Sequence, residues 1–153
     1  MVDAGQEQGF SLRVTGTADG AATAFARKHR FTVGAPVAFD EQDPRISALE
    51  YVLGAFGAEL VNGLWAAARA KHVDVDHAEA LVKAELDDPL AHLGVVGAAG
   101  TPALARVKVK VYASAAADEG ALRALWKQTL ERSPLVRTLE HAVTLDLELV
   151  VTP

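Results

Sequence analysis

Polar residues nearly vanish from one stretch of the chain. From Ile46 to Ala70 almost every turn is apolar on all sides, broken only by Ser47, Glu50, Glu59, Asn62 and Arg69. The pattern predicts one long helix of about 26 residues within the stretch 44–72, ~39 Å at ~1.5 Å rise per residue. A helix that is apolar all round is a buried helix. Its polar interruptions argue against a membrane span, which needs ~20 predominantly apolar residues. Gly54, Gly57 and Gly63 each cost roughly 1 kcal/mol relative to alanine inside a helix, so close approach of another backbone is expected there.

Before this helix, Phe10 to Thr15 alternates, with Phe10, Leu12 and Val14 on one face. That is the signature of a half-buried strand. Gly16 to Gly20 is a turn, and Ala22 to Val33 is long enough for two short strands around Lys28. The cluster Arg27, Lys28, His29 and Arg30 reads as charges guarding a sheet edge, with anion binding as the alternative. Residues 34–44 form a loop.

After the helix, Val73 to Leu86 is predicted as a strand. His72, Asp74, Asp76 and His77 invite a metal, but alternation points His77 away from the two aspartates, and no metal site is expected. Residues 87–101 are a Gly-rich connection without a phosphate-cradling pattern. Ala103 to Ala113 and Val143 to Val151 alternate sharply. One is basic on its wet face (Arg106, Lys108, Lys110) and the other acidic (Asp146, Glu148). Opposite charges favour cross-strand neighbours, so these two strands are expected to pair, antiparallel. Between them lie an amphipathic helix over 118–132, with Leu122, Leu125 and Leu130 inward, and a short helix over 135–141 after Ser133-Pro134. The class is α+β, an antiparallel sheet packed on a long central helix.

The 153 residues suit one domain, 1–153, with residues 1–9 disordered. Half the residues are hydrophobic and the net charge is −5, which argues against nucleic acid as a partner. No signal segment opens the chain, so a cytoplasmic location is expected, and no membrane partner. Cysteine is absent, which removes disulfides, thiolate metal sites and cysteine nucleophiles. No cofactor is expected.

The stretch SALEYVLGAFGAEL resembles the helix motif of the osmotically inducible protein C (OsmC) and organic hydroperoxide resistance (Ohr) family. That motif runs Pro-x-Glu, then aliphatic and small residues, then a cysteine. Here Ala48 stands for the proline, Glu50 matches the glutamate, and Glu59 occupies the cysteine position. Ohr-type members place the glutamate one residue earlier, at Leu49, so Glu50 fits the OsmC-like branches better. The segment RSPLVRTLEHAVTLDLEL resembles the region of the second cysteine, with Ser133 in its place and Pro134 retained. The resemblance implies an intertwined homodimer with pockets between subunits, and in active members a thiol reduction of organic hydroperoxides. Arg13, Arg27, Arg30 and Arg45 are the candidates for the arginine that serves the first thiolate. With neither cysteine present, peroxidase activity is expected to be lost and no catalytic residue is assigned.

Glu59 sits mid-helix in apolar surroundings, where an unpaired carboxylate is costly. A salt bridge to an arginine of the partner subunit is the leading reading; a ligand-binding or acid–base role and exposure through a bend are the alternatives. Asn62 and Glu50 are candidate pocket-lining residues, Glu50 equally a helix-start charge. Ser133 before Pro134 has the pattern of a helix N-cap. Trp65 and Trp126 read as core. The functional expectation is a dimer that binds a small apolar ligand. Its alternatives are an enzyme using Glu59 as general acid–base, and a structural or partner-binding protein.

Overall fold

The long apolar segment is helical. In the computed structural model, which describes residues 9–36, 38 and 43–153, α1 spans Ala48–Ala70. It starts where Ser47 and Glu50 cap one another. It stops where His72 takes a left-handed conformation (φ 54°) and the amides of His72 and Val73 turn back to the carbonyls of Arg69 and Ala68. That is a Schellman end with histidine where glycine is usual. The chain falls into two compact units, Met1–Tyr51 and Val52–Pro153. The expected disorder at the N-terminus falls on residues 1–8, outside the described residues, and on Gly9; part of the loop expected over 34–44 also lies outside them.

The first unit holds an antiparallel sheet in the order β1 (Arg13–Gly16), β2 (Ala22–Ala26), β3 (His29–Val33). The long run after the turn does divide around Lys28. Arg27, at φ 56°, makes the two-residue loop between Ala26 and its partner His29, the positive φ that tight hairpins require. The expected half-burial of the first strand is not met. Phe10 is 93% and Val14 61% exposed, because none of the described residues covers that apolar face.

The second unit holds a sheet of β4 (Val75–Leu86), β5 (Leu104–Ala115) and β6 (Thr144–Val151). Strands β4 and β5 are antiparallel. Strands β5 and β6 pair as the charges suggested, Lys108 with Asp146 at 3.2 Å and Lys110 with Glu148 at 3.3 Å, but they run parallel. The antiparallel expectation is therefore corrected, and there are two small sheets rather than one. The reason is the connection. Helices α3 (Glu119–Arg132) and α4 (Pro134–Leu139) carry the chain back to the end where β5 began, the crossover that parallel neighbours need. Short α2 (Pro89–His92) interrupts the Gly-rich connection, capped by Asp88.

The inner face of β5, Val107, Val109, Val111 and Ala113, is wholly buried against Phe56, Leu60 and Leu64 of α1 and Leu122, Leu125 and Trp126 of α3. Trp65 packs at the edge of this core. A Cβ on Gly57 would come within 2.7 Å of Val82 Cγ2, so the helix lies close over β4 there. Gly54, by contrast, has open space around it. The expectation of a helix buried on every side is corrected as well. Phe56, Leu60, Leu64, Ala67 and Ala68 form the buried stripe, while Val52 is 50% exposed and Ala55, Ala58 and Ala66 are exposed. One sheet can cover only one face of a helix. Among the described residues, no helix is long and apolar enough to cross a membrane.

Candidate functional site

Glu59 and Ser133 meet. The geometry starts with the junction between α3 and α4, where Ser133 is 4% exposed. Its Oγ accepts the Val136 N–H at 3.0 Å and so caps α4, with Pro134 at the first helical position. The hydroxyl proton is then free to go elsewhere, and Ser133 Oγ donates it to Glu59 Oε1. The same carboxylate oxygen accepts the Leu135 N–H at 3.1 Å. Glu59 thus satisfies an orphan amide of the first turn of α4 as well as the capping hydroxyl. Its partners among the described residues are a hydroxyl and a backbone amide. Oε2 has no hydrogen-bond partner among the described residues.

Beside this contact is a cavity of about 210 Å³. Its lining includes the polar residues Glu59, Ser133, Gln128 and Arg132 and the small residues Gly63 and Ala66. At Gly63 α1 lies close to α3, since a Cβ there would meet Thr129 Cγ2 at 2.8 Å. Thr129 spends its own hydroxyl on the Leu125 carbonyl at 2.9 Å. Arg132 and Gln128 escaped the sequence reading. The available signal was adjacency: Arg132 directly precedes Ser133, and Gln128 lies one turn before Arg132.

Asn62 does not line this cavity and is exposed. At about 100° per residue it lies about 60° to one side of Glu59, whereas Gly63 lies about 40° to the other. Glu50 is likewise not in the cavity lining. Its Oε2 accepts the Ser47 N–H and the Ser47 hydroxyl, each at 2.8 Å, while Ser47 Oγ accepts the Glu50 N–H at 3.3 Å. This is a capping box. The Ser47 amide, and then its hydroxyl, hold the Glu50 carboxyl below the usual glutamate range.

The four candidate arginines belong to the first unit. Arg45 grips Asp43 through Nε at 2.8 Å and Asp19 at 3.1 Å. Its guanidinium, with the Ala35 amide, holds the Asp43 carboxyl far below the ordinary range. Arg13 lies 4.2 Å over the Phe25 ring. Arg27 forms the hairpin loop, and Arg30 faces Phe25 across β2 and β3. Among the described residues, no group of His, Asp or Glu is arranged to hold a metal ion.

A family model described as OsmC-like protein matches residues 39–148 of the chain. No curated protein matches the sequence. Several solved structures are similar in fold. An OsmC like protein from Mycoplasma pneumoniae superposes with a TM-score of 0.79 at 13% identity, over 97% of this chain and 100% of that one. An organic hydroperoxide resistance protein from Elizabethkingia anophelis, with crystallant-derived thiocyanate bound, gives 0.69 at 10% identity, over 96% and 100%. A protein titled organic hydroperoxide resistance protein OsmC, from Legionella pneumophila, gives 0.65 at 9% identity, over 93% and 98%. At such identities the likeness is one of fold.

Proposed function

The chain belongs to the OsmC-like protein family, and from that premise we propose that it is a homodimer that binds a small ligand and has no thiol peroxidase chemistry. Hydroperoxide reduction by thiols needs a sulfur that becomes sulfenic acid and then disulfide. This chain has no cysteine, and its single methionine is Met1. The observation that carries the proposal is the contact at the cavity. The two positions that the family resemblance gives to cysteines hold Glu59 and Ser133, joined by a hydrogen bond beside about 210 Å³ of space.

The homodimer is supported by apolar surface that one chain leaves bare: the Val52 side of α1 and the Phe10–Val14 side of the first sheet. A single domain is supported by the family match, which runs across the boundary at Tyr51. The same reading keeps the cytoplasmic location expected from the sequence. Glu59 as a general acid–base group has less support. Its Oε1 is held by two donors, and Ser133, the one hydroxyl bonded to it among the described residues, spends its acceptor side on the cap.

Native mass spectrometry at micromolar concentration tests the assembly, with a dimer expected. A thermal-shift panel of small solutes of mixed polarity, butanol to amino acids, tests the cavity, and at least one is expected to raise the melting temperature. Cumene hydroperoxide with a dithiol is expected to be consumed no faster than without protein. A monomer, a silent panel or peroxide turnover each overturns the corresponding part.

A further inference from the structure

We propose that the cavity beside Glu59 takes a small zwitterion of the α-amino acid class, its ammonium group against Glu59 and its carboxylate against Arg132. The inference rests on the cavity being a ligand site and adds the ligand's chemistry. It begins with the division of labour within one carboxylate. Both protein donors, the Ser133 hydroxyl and the Leu135 amide, go to Oε1. Oε2 has no partner among the described residues. No fully buried side-chain oxygen or nitrogen among them lacks one, so Oε2 is open to solvent. A carboxylate oxygen held in place by its sister atom and left open is a preorganised acceptor, and an ionised donor is its strongest complement.

The opposite charge lies in the same lining. Arg132 borders the cavity and makes no ion pair or side-chain hydrogen bond among the described residues. Its neighbour on α3, Gln128, adds an amide whose donor and acceptor have no partner among the described residues. The two charges stand on different helices, Glu59 on α1 and Arg132 at the end of α3, with the cavity bordered by both. Arg132 is exposed and Glu59 half-buried, so a purely apolar ligand would take water from Glu59 and engage neither charge. A ligand with one charge would engage one and leave the other to solvent. An ammonium and a carboxylate on one small frame satisfy both, and Gly63 and Ala66 offer room for a short aliphatic side chain. The size agrees: about 210 Å³ is enough for a small amino acid.

Isothermal titration calorimetry on the intact protein tests this with norvaline, its two single-charge truncations butylamine and pentanoate, and butanol as the neutral analogue. Norvaline is expected to bind at least about tenfold more tightly than butylamine or pentanoate, the scale of one charge-assisted contact. Glu59→Gln keeps an acceptor for Ser133 and Leu135 but turns the open oxygen into a donor. It is expected to weaken norvaline about tenfold and to leave pentanoate unweakened. Arg132→Gln is expected to weaken norvaline and pentanoate and to spare butylamine. Circular dichroism melts establish that each variant is folded. Butanol binding as well as norvaline overturns the zwitterion and leaves the ligand site standing. If none of the four binds, the ligand site falls with it. Norvaline binding that neither substitution alters overturns the assignment of Glu59 and Arg132.

Discussion

Two serine–glutamate pairs in this molecule use the same chemistry for different ends. Ser47 and Glu50 are three residues apart, Ser133 and Glu59 seventy-four. In each, a buried serine stands before a helix and gives its hydroxyl proton to a glutamate that also accepts a backbone amide. The difference is where the glutamate resides. Glu50 belongs to the helix it caps, so helical geometry alone brings it back to Ser47. Glu59 belongs to α1 and caps nothing of its own; it ties the start of α4 to the middle of another helix. The first pair stabilises an end and the second an arrangement. The second also leaves one carboxylate oxygen over.

The largest effect should come from cutting the long-range pair. Glu59→Ala removes two hydrogen bonds to an ionised acceptor, worth ~1.5–3 kcal/mol each when well shielded. For a half-buried group the low end applies, and we expect a loss of ~2–3 kcal/mol in unfolding free energy, about 5–10 °C in melting temperature for a chain of this size. Ser133→Ala should cost ~1 kcal/mol for the cap and more for the lost donor. A double-mutant cycle on urea unfolding is expected to show coupling of ~1 kcal/mol or more between the two. Additive single effects would mean that the contact carries no energy, and the contrast with the local pair would collapse.

What was legible in the sequence follows the same division. A continuous apolar run marked α1, the 3.6-residue period marked α3, the two-residue period marked β5 and β6, and Ser133-Pro134 announced its cap, because each signal lies within a few residues. The capping box at Ser47 was written just as plainly, as serine, two residues, glutamate. Glu50 was nonetheless open to a pocket role until its hydrogen bonds were seen. The meeting of Glu59 with Ser133 had no local signal, and only the family resemblance linked them. The direction of β6 depends on where α3 and α4 deliver the chain, which charge complementarity between Lys108 and Asp146 does not specify. The bare side of α1 was misjudged for a related reason: apolar composition says that a face wants cover, not which chain supplies it.

The local pair should respond more weakly to the matching change. Ser47→Ala removes one cap and is expected to cost ~1 kcal/mol. Combined with Ser133→Ala, the two losses should add to within ~0.5 kcal/mol, because the serines share no hydrogen-bond partner. A coupling near that of the Glu59–Ser133 cycle would show that the box at the start of α1 is not the self-contained device its geometry describes.

The smallest effect is also the most specific, and it is read in acid. The Glu50 carboxyl is held below the ordinary glutamate range, first by the Ser47 amide and second by the Ser47 hydroxyl. A carboxyl whose folded pKa is depressed contributes stability that is fully present above its unfolded value, ~4.3, and is lost as pH falls through the folded value. The contribution of the box should therefore be constant at neutral pH and fade only below about pH 4. Carbon-detected NMR of the side-chain carboxyl should place the Glu50 midpoint below that of an unperturbed glutamate. Ser47→Ala should raise it only part of the way, because the backbone amide, the larger cause, survives the substitution. A full return to the ordinary value would transfer the effect to the hydroxyl. The local pair would then hold its glutamate chiefly through the serine side chain, with the amide in a minor part.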